Sequence, residues 1–250
     1  MDDAPRPFYG YYALPIFALL SAISIVVGTF VAVMWHLALG LLIVGFGCCV
    51  TATYIISILL AGQTRPSTLP SSVADMLELR GDERVLDVGC GLGKMSVAVA
   101  KLLRGGKVIG VDIWDKVEIP GNSPERAFAN ARLERVQDRV DFRNGNVLEL
   151  PFSDSSFDLV TASSVMNNLH ADAEKLRAFN EVLRVLRPGG RFLLWEPLRD
   201  LRGVLTFGPL GILILSPRQK WTDLLSKTGF TDLRYAYARG MGAFLVHKPS

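Results

Sequence analysis

A long uncharged run near the N-terminus separates Arg6 from Arg65, with no Asp, Glu, Lys or Arg between them. From Ala13 to Leu60 almost every residue is apolar or small. One membrane-spanning helix needs about 20 such residues, so the run is long enough for two. A secretory signal has an apolar core of only about 7–15 residues. The sequence therefore predicts a hairpin of two transmembrane helices within residues 1–62, and a hydrophobic hairpin buried in a soluble protein is the alternative.

The run has a break near its middle, at residues 34–36, where Trp and His suit the lipid headgroup region. The first helix is expected to begin around Pro15, a residue tolerated in a first turn, and the second to end near Gly62. Because Arg6 and Arg65 flank the pair, the positive-inside bias places both ends on the cytoplasmic side. Small residues that would allow close helix packing are Ser21, Ser24, Gly28, Ala38, Gly40, Gly45 and Gly47.

A polar linker with two prolines, residues 63–71, separates this run from the remaining domain, residues 72–250. A short helix is expected to start at Ser71 or Ser72 and to end near Leu79. The linker indicates that the hairpin and the domain are separate units.

Seven segments of the domain are predicted to be strands, at 84–88, 107–112, 139–143, 157–162, 190–196, 231–237 and 242–247. Helices are expected at 92–104, 124–136, 172–186 and 218–228. The first five strands alternate with helices, which indicates parallel pairing with right-handed crossovers. Only a short glycine-bearing turn separates the last two strands, so they form a hairpin. The predicted fold is therefore α/β, with a seven-stranded mixed sheet.

The first predicted strand runs into a glycine-rich turn over residues 85–94, Val-Leu-Asp-Val-Gly-Cys-Gly-Leu-Gly-Lys. Its apolar residues suit a parallel strand covered on both faces. Gly89, Gly91 and Gly93 allow the backbone to turn sharply and to approach a ligand. Their G-x-G-x-G spacing differs from the dinucleotide-binding G-x-G-x-x-G, and Asp87 stands two positions ahead. Such a loop indicates a nucleotide-type cofactor.

Residues 86–93 resemble the first motif of class I S-adenosylmethionine (SAM) dependent methyltransferases. Three later segments agree with that family, in the expected order. Residues 108–113 resemble its second strand, residues 146–152 the loop that flanks the adenine, and residues 184–192 its helix, Pro-Gly-Gly turn and fifth strand. The resemblance covers residues 72–247 and implies the Rossmann-like sheet of that family. A bare Rossmann-type binding domain or a dehydrogenase is the alternative.

The resemblance implies SAM as cofactor. It places the glycine turn under the methionine part, the Asp112 carboxylate on both ribose hydroxyls and Ile113 against the adenine. Asn146 stands where the family usually has Asp, so the adenine amine would meet an amide oxygen. A cap for Asp112 and a loop-bracing role for Asp87 are the alternatives. The expected cofactor-binding residues are Asp87, Gly89, Cys90, Gly91, Gly93, Asp112, Ile113, Asn146, Val147 and Ser163.

Methyl transfer is an in-line displacement that orientation and exclusion of water can catalyse, so a base is optional. His170, just past the fourth strand, and Glu196, at the end of the fifth, are the candidate catalytic residues. A helix-start histidine and a structural acid are the alternatives. Residues 201–215 are unusually apolar, and their glycines and proline argue against one regular helix. They predict a lid or membrane-touching flap, and hence a hydrophobic acceptor.

The net charge of +3 gives no indication of a nucleic-acid surface. Cys48, Cys49 and Cys90 suggest neither a disulfide framework nor a zinc site, and no metal is expected. The sequence predicts a two-pass membrane methyltransferase with a cytosolic catalytic domain, whose partners are membrane lipids and a lipophilic small molecule. An anchored methyltransferase of a small polar metabolite and a SAM-binding membrane protein without turnover are the alternatives.

Overall fold

The computed structural model of the protein describes residues 6–11, 14–61, 67–203, 211–238 and 240–250. Its first two elements are long helices, α1 (Leu14–Met34) and α2 (Leu37–Ala61), joined by a two-residue turn. The break falls where the sequence predicts it, and the outer ends of both helices lie within one residue of the predicted ends.

Small residues line the contact between the two antiparallel helices. A Cβ atom placed on Gly40 would come within 2.4 Å of the Ala32 Cβ, and one on Gly28 within 2.9 Å of the Gly40 carbonyl oxygen. Only glycine allows this approach. The prediction is wrong for Gly45, which has nothing within 4 Å of where a Cβ would stand, and for Ala38, which is exposed.

The outward surface of the helix pair is apolar. Val33, Trp35 and Leu42 are 76%, 84% and 72% exposed. The segments Ile16–Met34 and Leu37–Ile56 are long and apolar enough to cross a membrane, and only 11% and 17% of them is buried inside the protein. A hairpin in the core of a soluble protein would instead bury such side chains.

The rest of the described chain forms a mixed sheet of seven strands with helices on both faces, as the sequence predicts. The strands are β1 (Arg84–Val88), β2 (Lys107–Asp112), β3 (Val140–Asn144), β4 (Phe157–Ser163), β5 (Leu186–Pro197), β6 (Thr231–Ala238) and β7 (Met241–His247). The helices are α3 (Ser71–Leu77), α4 (Lys94–Ala100), α5 (Pro124–Leu133), α6 (Asp172–Val185), α7 (Gly211–Ile214) and α8 (Arg218–Thr228). The order across the sheet is β3-β2-β1-β4-β5-β7-β6, and β7 runs antiparallel to both of its neighbours.

Alternate side chains of the central strands enter two separate cores, because successive residues of a strand point to opposite faces. Leu86 and Val88 pack with residues of α6 and α8. Val85 and Val108 pack on the other face with residues of α3, α4 and α5. The central strands are therefore covered on both sides, as their apolar runs indicate.

Element ends differ from the prediction by up to four residues, as at the end of α4, Ala100 rather than 104, and three of the differences have a plain physical cause. Helix α4 begins at Lys94 rather than 92, because the glycine turn with positive φ continues through Gly93. Helix α5 ends at Leu133 rather than 136, since Arg135 has a left-handed φ of 58°. Strand β5 starts at Leu186 rather than 190, because Leu186 pairs with β4.

The register of the parallel strands brings three strand ends to one edge of the sheet. Val88 pairs with Val111 on one side and with Ala162 on the other. The residues that follow, Gly89 and Asp112, therefore emerge close together. Ligands of open α/β sheets bind beyond this carboxyl edge.

Candidate active site

The glycine turn after β1 is tightly enclosed. A Cβ on Gly89 would lie 2.2 Å from a methyl carbon of Val165, and one on Gly93 would lie 2.8 Å from the Phe142 ring. Gly89, Gly91 and Gly93 all have positive φ, at 65°, 50° and 84°. Side chains at these positions would strain or displace the loop, so the glycines set its shape.

The Asp87 carboxylate, at the end of β1, links the start of this loop to α4 and β4. It is buried and accepts hydrogen bonds from the Ser96 hydroxyl on α4, at 2.5 Å, and from the Thr161 hydroxyl on β4, at 2.8 Å. Burial raises the pKa of Asp87 to about 6. Because Asp87 is only 1% exposed and both donors are protein hydroxyls, the geometry favours the loop-bracing role over direct contact with a ligand.

The Asp112 carboxylate stands beside the glycine turn at the end of β2. It accepts hydrogen bonds from the backbone N–H groups of Gly91, at 2.9 Å, and Trp114, at 2.7 Å, and from the Asn122 side-chain amide, at 3.2 Å. A carboxylate offers about four acceptor positions, so room remains for a ligand hydroxyl. Beside it, Ile113 is 61% exposed and presents an apolar surface.

Two buried polar atoms near Asp112 have no partner within the described residues: the side-chain oxygen of Asn122 and the indole N–H of Trp114. Asn122 is only 2% exposed. Buried polar atoms are normally hydrogen-bonded, so unsatisfied ones at the carboxyl edge of the sheet suit a polar ligand. Sequence reasoning gave neither residue a role, because that role depends on how the loop after β2 folds back.

The side chains of Asn146 and Cys90, both expected to contact the cofactor, make contacts within the protein instead. The Asn146 side-chain oxygen accepts from the Leu148 N–H at 2.9 Å, and so closes a local turn in the loop after β3. Cys90 is buried with its sulfur beside Gly110, and burial raises its thiol pKa. The Cys90 N–H donates to the Val111 carbonyl and its carbonyl accepts from the Gly93 N–H, so Cys90 helps to shape the turn. Val147 and Ser163 are half-buried at the same edge.

Glu196 organises the loop after β4 and has no exposed surface. Its carboxylate accepts from the backbone N–H groups of Val165 and Met166, each at 2.8 Å, and from the Asn167 amide at 2.9 Å. Burial raises the pKa of Glu196 to about 7, although these hydrogen bonds oppose the shift. Because the carboxylate is fully buried and has three protein donors, this geometry favours the structural acid over a catalytic Glu196.

His170 is exposed at the mouth of a small cavity of about 150 Å³. The cavity also contains Lys175, which is buried, donates to the Leu169 carbonyl and has a pKa lowered by burial. The cavity is lined by Asn167, Leu169, His170, Lys175, Arg199, Leu213, Ile214, Leu215, Ser216, Pro217 and Lys220. The predicted flap, residues 201–215, lies partly outside the described residues, but its end at Leu213–Leu215 borders this cavity.

Glu118 lies in the loop after β2 and contacts the loop after β4. Sequence reasoning missed it. It is half-buried and accepts from the Asn168 amide at 3.1 Å. Burial, followed by the charges of Asp115 and Asp112, raises its pKa. No sequence pattern marks Glu118, because only the fold brings its loop against the loop after β4.

A larger cavity, of about 570 Å³, lies at the opposite edge of the sheet and is lined by residues such as Asp82, Lys107 and Asp138. These residues precede the parallel strands, whereas α/β sheets bind ligands beyond the carboxyl ends. This cavity is therefore not the candidate site.

Among the described residues, no group of three or more His, Cys, Asp or Glu is placed to hold a metal ion.

Comparison with known proteins agrees with this geometry. Residues 86–194 match the family model described as a methyltransferase domain. Demethylmenaquinone methyltransferase of Lactiplantibacillus plantarum is 37% identical over 123 residues, which are 48% of this chain and 47% of that protein. The chain thus spans about half the length of this curated relative.

Similarity extends further in two other proteins. An uncharacterized protein of Haemophilus influenzae is 32% identical over 182 residues, 69% of each chain. The crystal structure of a SAM-dependent methyltransferase from Aquifex aeolicus superposes with a TM-score of 0.62 at 18% identity, over 78% of this chain and 98% of that one. The sheet order, the glycine loop and these matches agree, and the chain belongs to the class I methyltransferases, the family whose cofactor is SAM.

Proposed function

We propose that the protein transfers a methyl group from SAM to a hydrophobic or membrane-soluble small molecule at the cytosolic face of a membrane. One juxtaposition carries the proposal. The same chain holds a glycine-loop site at the carboxyl edge of its sheet and a pair of long, apolar, outwardly exposed helices. A domain held at a membrane meets acceptors dissolved there at high effective concentration.

The residues at the carboxyl edge fit SAM, which when bound supplies a methyl group on a positively charged sulfur. The glycine turn, Gly89 to Gly93, lets the backbone approach the methionine part. The remaining acceptor position of Asp112 and the unpaired oxygen of Asn122 suit the ribose hydroxyls. The exposed side chain of Ile113 supplies an apolar face for the adenine.

The acceptor enters, in this proposal, through the cavity beside His170. Leu213 is 83% exposed at its border, and Ile212 and Ile214 are also exposed on helix α7. Exposed aliphatic side chains next to a cavity bind apolar surface, at about 25 cal/mol for each Å² buried. The demethylmenaquinone substrate named for one relative is a lipid-soluble quinone, which agrees with an acceptor of this kind.

Catalysis rests mainly on orientation, because the displacement needs the acceptor atom in line with the methyl group. Where that atom loses a proton, His170 and Glu118 are the groups placed to take it. The raised pKa of Glu118 makes it a stronger base than an ordinary carboxylate. Glu196 acts as a positioning residue, because it fixes the loop that carries Met166 and Asn167.

The hairpin topology supports a catalytic domain that lies on one side of the membrane. Because α1 and α2 are antiparallel, the segments before α1 and after α2 lie on the same side. The positive-inside bias of Arg6 and Arg65 favours the cytoplasm for that side, and SAM is available there.

A specific observation favours a second candidate, an anchored methyltransferase of an anionic small metabolite. His170, Lys175, Arg199 and Lys220 line the cavity together. Such a lining suits an acceptor that carries a carboxylate or phosphate. The two candidates differ in the solubility of the methylated product.

The test is incubation of the purified protein, in lipid nanodiscs, with methyl-labelled SAM and either a lipid extract or a water-soluble metabolite extract. We expect label to enter a product in the lipid fraction, identified by mass spectrometry. Asp112→Ala, which removes the proposed ribose contact, is the negative control. Label confined to water-soluble products would favour the second candidate, and a folded, SAM-binding protein without product would exclude both.

A further inference from the structure

The segment before the first helix, residues 6–11, lies against the catalytic domain, and we name it the strap. The Phe8 N–H donates to the Asn130 side-chain oxygen at 3.0 Å. The Asn130 amide donates in return to the Phe8 carbonyl at 2.9 Å and to the Leu92 carbonyl at 3.0 Å. One buried side chain on α5 therefore joins the strap to the glycine turn.

A second contact runs through Ile119. Gly10 has a φ of 75°, and a Cβ placed on it would lie 2.6 Å from a methyl carbon of Ile119 and 3.1 Å from one of Leu92. On its other side, Ile119 packs against the glycine turn, where a Cβ on Gly91 would lie 3.0 Å away. Ile119 thus packs tightly against both the strap and the glycine turn.

The segment before α1 and the segment after α2 both contact one carboxylate, that of Glu134. Its Oε1 accepts from the Tyr9 hydroxyl at 2.7 Å and from the Ser67 N–H at 2.6 Å, while its Oε2 pairs with the Lys101 ammonium at 2.5 Å. The Ser67 hydroxyl donates to the carbonyl of Lys94, the residue that follows the glycine turn. The Glu134 side chain is only 5% exposed.

Electrostatics favour this arrangement. Burial alone would raise the pKa of Glu134, but the hydrogen bonds from Lys101, Ser67 and Tyr9 outweigh it, and the net shift is downward. Burial and the neighbouring carboxylate raise the pKa of Tyr9, so its hydroxyl stays protonated and remains a donor. Glu134 is therefore an ionised acceptor with three donors.

We propose that the strap and Ser67, joined through Glu134, are positioning elements of the cofactor loop, so that SAM affinity depends on the segments that connect the loop to the membrane hairpin. The inference rests on the proposed function, because it takes the glycine turn as the SAM site. The strap ends three residues before α1 begins and is held by side chains from α5, the turn and the loop after β2. A shift of α1 would therefore move the wall of the cofactor site.

The test uses the full chain in detergent micelles and compares SAM binding, by calorimetry, with thermal unfolding without ligand. Tyr9→Phe removes only the hydroxyl that reaches Glu134, and Glu134→Gln removes the charge that Lys101 pairs with. We expect each substitution to raise the SAM Kd by about 5- to 30-fold. Tyr235→Phe and Glu78→Gln, which make the same changes on or beside β6, are the matched controls and should leave the Kd unchanged.

Hydrogen exchange supplies a second measurement, since Tyr9→Phe alters one oxygen atom and should preserve the fold. We expect faster exchange at the amides of residues 91–94 in this variant than in the wild type. Unchanged Kd values with only a lower melting temperature would give the strap a purely structural role and overturn the inference. Failure of the wild-type protein to bind SAM would instead contradict the proposed function itself.

Discussion

The helical hairpin and the sheet domain place their large apolar side chains in opposite ways. In the domain, the large side chains Trp221, Phe179 and Phe192 are completely buried. In the hairpin, small residues such as Gly28 and Gly40 make the internal contact, and the large apolar side chains face outward. The domain is therefore held together by exclusion of water from its core. The hairpin has instead the arrangement of helices that associate in lipid.

The two regions also differ in their electrostatics. The domain buries the carboxylates of Asp87, Glu196 and Glu134, each with two or more donors. The hairpin contains no acidic or basic side chain apart from His36 at its turn. Charged groups are thus concentrated in the domain, and the strap and Ser67 are the segments through which a change in the hairpin would reach them.

The largest effect should follow removal of the proposed ribose contact. Asp112→Ala deletes an acceptor for ribose hydroxyls and for the Gly91 N–H, so we expect SAM binding to weaken by about 1.5–3 kcal/mol. Asp141→Ala on β3, which removes an exposed carboxylate paired with Arg143, is the matched control. Calorimetry on the full chain measures both. Equal affinity in Asp112→Ala and wild type would remove Asp112 from the cofactor site.

The next effect concerns turnover rather than binding. If His170 takes a proton from the acceptor, His170→Ala should lower kcat by about 100-fold, the common contribution of a general base, and leave SAM affinity intact. His247→Ala, at the end of β7, changes a histidine at the opposite edge of the sheet and should retain activity. A loss of only a few-fold would assign His170 to acceptor positioning, with Glu118 as the remaining base.

Packing between the two helices of the hairpin should be sensitive to added side-chain atoms at Gly40. Gly40→Val would bring side-chain atoms into Ala32 and should destabilise the helix pair by about 1–3 kcal/mol. Gly45→Val, on the same helix but with open space around it, should stay within about 0.5 kcal/mol of wild type. Thermal unfolding in detergent, followed by circular dichroism, measures the difference. Equal stabilities would show that the helices do not pack through this face.

The smallest effect is a pH dependence that arises in the domain alone. The folded-state pKa of Glu196, about 7, lies above its ordinary value of 4.5, so its stabilising contribution is complete below pH 4.5 and is lost as the pH rises through 7. Asp87 acts in the same direction up to about pH 6. Relative to Glu196→Gln, we expect wild-type stability to fall as the pH rises from 4.5 to 7, because the unfolded chain releases this proton first. Parallel stability profiles for the two proteins would contradict the assigned shift.

Sequence patterns predicted most of the fold because the central strands are buried on both faces and the helix pair is uncharged. The apolar residues of β1 and the cap formed by Ser123 before α5 need only local information. The break at residues 34–36 follows from the length of a membrane span. Element ends were less predictable where a left-handed residue, such as Arg135, stops a helix early.

The site was only partly predictable because its side chains have several possible partners. Asp87 and Glu196 are conspicuous in the sequence, but only the fold shows that both are occupied by backbone or hydroxyl donors. Sequence reasoning gave Asn122 and Glu118 no role in the site. The contact between Phe8 and Asn130 joins residues 122 positions apart, which no local pattern indicates.

Hydrogen exchange of the full chain in lipid nanodiscs, with and without SAM, tests the central claim for both regions at once. We predict that amides of the glycine turn, residues 89–93, and of residues 112–113 gain protection when SAM is added. Amides of the hairpin, within residues 16–56, should stay protected in both states because lipid surrounds them. Unchanged exchange in the turn, or rapid exchange throughout the hairpin, would contradict a SAM methyltransferase held in the membrane by these two helices.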